Sequence, residues 1–476
     1  MMADSRRFAQ SIYRKTTSPL RWIFNTSAFT GNLILAGLLT WGFFEPEMET
    51  SVVLVFFLLV LSIGLWVTEA VPPFAVGIFI IVFLVVSLGS ELFLAAPMEV
   101  DRYINTWTSS VIWLLLGGFF LAKGMAQVQL DRVLFDFTVA RFGSSPGGLL
   151  FGLMLTTGVG SMLMSNTATT AMMMTSILPL IRKLGKKHPY AKALLVGIPA
   201  AASVGGIGTI IGSTPNAIAV GALSTGIGVN ISFLQWATFG VPIALGTLWF
   251  LWNYLTRVHK LKNMHVELVF EDSRSDDPVN PYQRTITIVT IVLTLGLWLS
   301  EPLHGIPVAV TATLPILLLT MNGIIEAKEV REMPWDTLIL VAGGLALGTA
   351  LVDTGLSVIF VDKLLELPIH TYLMIPVFAV ITILVSNIMS NTAASAILIP
   401  IGIVYSASFQ VSLPLIIATC ASCALMLPVS TPPNAIAFST GYIEQKDFVK
   451  SGIFVGAVGL VISIVVLMGY RFLGFL

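Results

Sequence analysis

Two apolar stretches, residues 146–181 and 370–408, are too long to cross a membrane once and too polar at their centres to be inert filler. A straight helix crosses the hydrocarbon core in about 20 residues. Near the middle of each stretch stands the same cluster, "MSNTATTA" at 164–171 and "MSNTAASA" at 389–396. In lipid, polar groups must find partners within the protein. A single Ser-Asn-Thr reads as glue between helices; two copies at matched positions read as a site. Each stretch is therefore expected to be a re-entrant hairpin that enters and leaves on one face, with the cluster at its tip.

The remaining apolar runs fall near 29–44, 51–70, 74–95, 109–127, 193–225, 231–256, 285–301, 306–324, 336–353, 411–441 and 451–474. With 56% hydrophobic and 11% charged residues, against about 25% charged in a soluble globule, the chain reads as an all-α polytopic membrane protein. It has about eleven transmembrane helices plus the two hairpins. Basic residues fix the expected orientation. With residue 1 cytoplasmic and both hairpins re-entrant, the inside receives 182–192, the linker 257–284, "EAKEVRE" (326–332) and the Lys446/Lys450 loop, while Arg102, Lys363 and Arg471 fall outside. That bias satisfies the positive-inside rule. It puts the N-terminus in the cytoplasm and the C-terminus outside, in a plasma (inner) membrane. The basic residues before position 29 suit a surface helix or a frayed tail equally. A net charge of zero offers nothing to nucleic acid. Cys420 and Cys423 form a C-x-x-C in an apolar run without a second ligand pair, so they read as small helix-packing residues. The histidines lack metal-binding spacing.

The two halves match further. "WLLLGGFFLAKGMAQ" (113–127) resembles "LILVAGGLALGTALV" (338–352), and "GSTPNAIAVG" (212–221) resembles "VSTPPNAIAFS" (429–439). By the charge count the first half begins outside and the second inside, so the first hairpin opens from the cytoplasm and the second from the exterior. This is an inverted-topology repeat, the common plan of secondary transporters.

Each half has two breaks. Ser-Asn-Thr can cap the second arm of each hairpin, and Thr214-Pro215 and Thr431-Pro432 read as a cap followed by Pro at the first helical position. Gly212 can take the unusual dihedrals of an unwound turn, and Pro432-Pro433 removes two backbone donors. Four half-helix N-termini then face one cavity, each with partial positive charge, which suits an anion with two charged ends. The expected core holds no Arg, Lys, Asp or Glu, and Glu69 and Lys123 lie at span ends. The anion must be balanced by helix ends, amides, hydroxyls and co-bound cations. Ser161 lies four residues before Ser165, and Ser386 four before Ser390, so each pair shares a helix face. With Asn oxygens and unwound carbonyls they form neutral oxygen cages suited to Na⁺.

At these residues the sequence resembles the divalent anion/sodium symporter family, which includes Na⁺/dicarboxylate and citrate cotransporters. The resemblance runs from about residue 30 to the end. It implies a homodimer whose protomers divide into a scaffold (29–145 with spans 1–4, 285–369 with spans 7–9) and a transport domain (146–256 and 370–476). Residues 1–28 form a cytoplasmic segment and 257–284 the cytoplasmic linker. The transport domain is expected to slide as an elevator. By matching position, one Na⁺ site uses Ser161, Ser165, Asn166 and the backbone near Gly212; the other uses Ser386, Ser390, Asn391 and the backbone near Ser430. Substrate carboxylates meet Asn166, Thr167, Asn391 and Thr392, with Ser213 and Pro432 at the pocket edge. Thr at both third positions looks like the carboxylate transporters rather than the sulfate-carrying relatives.

The expected function is Na⁺-coupled symport of a C4-dicarboxylate such as succinate, malate or fumarate into the cell, with co-transported Na⁺ and no organic cofactor. The alternatives are a Na⁺-independent dicarboxylate exchanger or a permease for citrate or sulfate. An anion channel does not need inverted halves with hairpins. An intramembrane enzyme lacks a Ser–His pair or paired intramembrane Asp, so the chain is not expected to be an enzyme.

Overall fold

The computed structural model describes residues 19–142, 145–264, 280–365, 371–405 and 411–475. The N-terminal segment before residue 19 and the linker portion 265–279 lie outside the described residues. Within the described residues all regular structure is helical, as lipid demands of a chain that is not a closed barrel.

Among the described residues, seven helices are long and apolar enough to cross a membrane, by length and composition: Thr50–Thr68, Asp101–Gln127, Pro189–Gly208, Phe233–Val258, Pro281–Leu299, Trp335–Asp353 and Gln445–Phe472. Shorter apolar helices, among them Pro73–Leu88 and Val308–Met321, pack beside them. Punctuation residues set the boundaries. Pro73 occupies the first turn of 73–88, and Ser109 caps 110–127 by accepting from the Val111 N–H.

Both long stretches fold as helical hairpins, Pro146–Ser161 with Asn166–Leu184 and Thr371–Ile388 with Asn391–Tyr405. The Trp252 Nε1–H donates to the Gly147 carbonyl at 2.9 Å, so the first hairpin begins at the end of the molecule where 233–258 runs toward the linker. Its far end leads to Lys192, which pairs with Asp447 at 2.9 Å, with His259 beside both. The second hairpin comes from the opposite end: Ile403 packs near Gly226, next to the loop that carries Asn230. Ion pairs show which span ends lie together: Arg102 with Asp353 (2.7 Å), Lys363 with Glu45 (3.4 Å), Lys123 with Glu332 (3.1 Å) and Lys192 with Asp447. The two exposed pairs, Lys123–Glu332 and Lys363–Glu45, contribute only about 0–1 kcal/mol each.

The repeat is visible in packing. A Cβ on Gly117 would lie 2.5 Å from the Ala312 carbonyl oxygen, and one on Gly343 would collide with the Gly77 backbone. The matched glycines thus let matched helix pairs, 110–127 on 308–321 and 335–353 on 73–88, cross in close contact. Two helices were not anticipated, Leu130–Phe142 and Leu356–Leu365. Each precedes a hairpin and is too short to span. Cys420 and Cys423 are free and buried in the packing of Ser412–Ala421 and its following turn against 445–472.

Candidate functional site at the meeting of the hairpin tips

The two tips are built alike. Ser165 has extended dihedrals and its hydroxyl accepts from the Ala168 N–H at 3.2 Å; the Ser390 hydroxyl accepts from the Ala393 N–H at 3.2 Å. Each serine is the N-cap, and Asn166 or Asn391 opens the second arm. Ser and Asn are placed here because their side chains satisfy donors that a helix start leaves open.

The two unwound breaks follow. The first runs from Thr209 to Ser213, between the 3₁₀ turn Gly206–Gly208 and the helix Thr214–Ile227; the second separates Ser412–Ala421 from Pro432–Ser439. Here the expected caps need correction in one half. Thr431 caps the second helix, accepting from Asn434 N–H at 3.3 Å with Pro432 next. In the first half the cap position is Ser213, and Thr214 is the first helical residue. The structural partner of Thr431 is Ser213, so Thr214 stands where the second half has Pro432. Ser213 makes no cap hydrogen bond; its hydroxyl pairs with Ser422 Oγ at 2.9 Å, joining the two breaks.

Gly212 also differs from expectation. Its φ is not positive. Glycine is needed there for space, since a Cβ would lie 2.6 Å from the Gly206 carbonyl oxygen and 2.9 Å from that of Ser161. The break folds back on the tip, and the Thr209 hydroxyl donates to the Met162 carbonyl to hold it there. In the second half the Met426 N–H donates to Asn387 Oδ1 at 2.7 Å and performs the same tethering.

Residues not assigned a role from sequence hold these turns open. Asn216, fully buried, donates from Nδ2 to the carbonyls of Gly206 (2.9 Å) and Thr209 (2.8 Å). Asn434, its repeat partner, donates to Leu425 (3.2 Å) and Leu427 (3.1 Å). The Trp236 Nε1–H adds a bond to the Ile207 carbonyl at 2.9 Å. A buried unwound carbonyl without a partner is costly, so each break carries its own asparagine clamp. Repetition of "PNAIA" was the available signal.

All four features meet in one cavity of about 600 Å³, lined by Ser165, Asn166 and Thr167 from one tip and Ser390, Asn391 and Thr392 from the other. The first break contributes Gly212–Pro215 and the second Ser430–Pro433. Four helix N-termini therefore open on it. Ser161 and Ser386 stand behind the tips, fully buried. Ser161 Oγ lies 2.5 Å from the Asn166 amide. That amide is also 3.1 Å from the carbonyl oxygens of Ala202 and Gly212; the network assigns its nitrogen to these oxygens as donor. Three oxygens thus converge behind the first tip. Behind the second, Ser386 Oγ and Asn391 Oδ1 are buried without a hydrogen-bond partner. The expectation of an acid-free core also needs amending, because Asp336 lines the cavity. It sits in the first turn of the helix Trp335–Asp353, whose start lines the cavity.

A second cavity of about 790 Å³, lined in part by Arg102, Asn230, Glu301 and Thr349, lies back to back with the first. Leu114 and Ile210 face it, while their neighbours Leu115 and Ile211 face the tips.

Residues 34–476 match the family described as the sodium:sulfate symporter transmembrane region. The chain belongs to the divalent anion/sodium symporter family. Among its members, an uncharacterized transporter of Haemophilus influenzae is 31% identical over 450 residues, covering 90% of this chain and 93% of the relative. The sodium-dependent dicarboxylate transporter SdcS of Staphylococcus saprophyticus is 30% identical, covering 84% and 82%. SdcS of Staphylococcus aureus is 30% identical, covering 93% and 91%. The fold resembles that of the Alcanivorax borkumensis YdaH transporter (TM-score 0.59, 14% identity, 85% of this chain and 99% of that one). Neisseria gonorrhoeae MtrF is similar at TM-score 0.54 and 13% identity, covering 85% and 96%. Membership in a transporter family, together with the apolar helices, makes this an integral membrane transporter.

Proposed function

We propose that the chain carries a C4-dicarboxylate into the cell together with Na⁺. The observation that carries the reading is the convergence of both Ser-Asn-Thr tips and both breaks on one cavity, with no basic side chain among its described lining residues. A dicarboxylate entering there meets helix N-termini and hydroxyl and amide groups at two repeat-related ends, one for each carboxylate. Asn166 and Thr167 receive one end and Asn391 and Thr392 the other, with Ser213 and Pro432 at the edge.

Those groups alone leave a dianion's charge uncompensated. The cation supplies the rest. Ser386 Oγ and Asn391 Oδ1 are acceptor-capable oxygens buried without donors, a chemistry that fits Na⁺, with Ser390 and the backbone near Ser430 completing the set. Ser161, Ser165, Asn166 and the Gly212 carbonyl are the first-half counterpart; there the Asn166 amide nitrogen donates to Ser161 Oγ and the Gly212 carbonyl, so binding Na⁺ requires that amide to turn its oxygen inward. The names of the SdcS relatives agree with this pairing of Na⁺ and dicarboxylate.

The back-to-back cavities support movement of the tip-and-break elements past the 110–127 and 335–353 helices, carrying the site from one face to the other while a homodimer's scaffolds stay fixed. On this reading the charge count makes the tip cavity's mouth cytoplasmic.

Thermal unfolding in detergent tests the site. Wild-type protein is expected to rise in Tm with Na⁺, and to rise further when succinate is added in Na⁺ but not in K⁺. Asn166→Ala and Asn391→Ala are expected to lose the succinate shift while remaining monodisperse. A full shift in either variant would overturn the assignment.

A further inference from the structure

Among the described residues, Asp336 is the single ionisable side chain that lines the tip cavity. It is exposed, in the first turn of Trp335–Asp353, beside Pro334 and Thr337, which also line the mouth. Its nearest acidic neighbour in sequence, Glu332, is matched by Lys123 at 3.1 Å. Asp336 has no hydrogen-bond or ion-pair partner among the described residues. A carboxylate at a helix start offsets the helix dipole, and that accounts for an acid on this turn. It does not account for leaving the charge unpaired at the mouth of a cavity whose other described lining groups are uncharged and whose ends suit anions.

We propose that Asp336 is a charge filter. Its unpaired carboxylate concentrates cations at the mouth and slows a doubly charged anion until a cation has entered and offset it. The interior then attracts the anion through its helix ends, while the mouth imposes an order of arrival. The low-dielectric walls of a cavity focus such a field beyond what one surface charge achieves in open water. The cation-before-anion consequence rests on the Na⁺-dicarboxylate reading; the filter itself does not.

The test reads local potential directly. A cysteine is placed on the lining by Thr214→Cys, and its rates of modification by positively and negatively charged thiosulfonate reagents are compared with Asp336, Asp336→Asn and Asp336→Glu. Cys420 and Cys423 are fully buried, and the parent protein supplies the blank. The cation-to-anion rate ratio is expected to fall about tenfold in Asp336→Asn and to be retained in Asp336→Glu, because a unit charge within the cavity moves the two reagents in opposite directions. A ratio unchanged in Asp336→Asn would overturn the proposal, and Thr337→Cys provides a second probe site should Thr214→Cys not fold. In transport, Asp336→Asn is expected to lower the KM for succinate at limiting Na⁺ and raise the Na⁺ half-saturation, each about threefold. A protein that carries no dicarboxylate sinks the proposed function, while the reagent ratio still decides the filter.

Discussion

Replacing Asn216 by Ala removes a clamp without touching the cavity lining. Nδ2 of Asn216 donates to the carbonyls of Gly206 and Thr209 at 2.9 and 2.8 Å, all fully inside the protein. Losing one donor group that serves two buried acceptors costs about 1–3 kcal/mol for each carbonyl left unpaired. Asn216 Oδ1 is itself buried without a partner, and its removal returns part of that. The net is about 2–4 kcal/mol, concentrated on the turn that presents the Gly212 carbonyl. If that turn must be formed to bind Na⁺, the Na⁺ affinity falls by at least about tenfold, since about 1.4 kcal/mol is a decade. The assay is the Na⁺ concentration that gives half the maximal rise in Tm. Asn434→Ala is expected to act in the same direction but more weakly, because its bonds to Leu425 and Leu427 are longer, 3.2 and 3.1 Å. A folded Asn216→Ala protein with wild-type Na⁺ dependence would refute the clamp argument.

Two further outcomes follow from the geometry. The Ser213–Ser422 bond of 2.9 Å predicts that Ser213→Ala and Ser422→Ala each destabilise by about 1 kcal/mol, and that the double variant loses no more than one of them, as a double-mutant cycle on Tm would show. At the other cavity, burial lifts the Glu301 carboxyl above its ordinary range, opposed by a Val308 backbone hydrogen bond and by His304. The folded protein therefore holds that proton to higher pH than the unfolded chain, and stability falls as pH rises from the ordinary carboxylate value through the raised one. Glu301→Gln is expected to flatten that part of the Tm–pH profile; an unchanged slope would show that other groups set it.

Much of the site was legible because lipid makes polar residues conspicuous. Ser-Asn-Thr in an apolar run needs a reason, and a helix start supplies one, so both tips and their capping serines could be read directly. The breaks were legible, and the shared "PNAIA" pairs Asn216 with Asn434. What the Thr-Pro pattern misplaced is the first cap, which falls on Ser213 rather than Thr214 because that helix starts one residue earlier than the pattern implies. Gly212 was expected to serve a dihedral and instead serves a close approach, which depends on where Ser161 and Gly206 come to lie. Leu130–Phe142 and Leu356–Leu365 carry no spanning-length apolar run, so hydropathy passes over them. Asp336 was given no role, because its exposure to the cavity exists only once 335–353 has packed beside the hairpin tips.

The central claim is that the cation and the anion move together through the cavity where the tips meet. Its most direct measurement is uptake of labelled succinate by proteoliposomes loaded with unlabelled succinate at equal concentration, with an inward Na⁺ gradient or an equal K⁺ gradient. Coupled transport predicts accumulation of succinate above the external concentration under the Na⁺ gradient alone, collapsing when the Na⁺ gradient is dissipated. Exchange of label without net accumulation, equal in Na⁺ and K⁺, would contradict it.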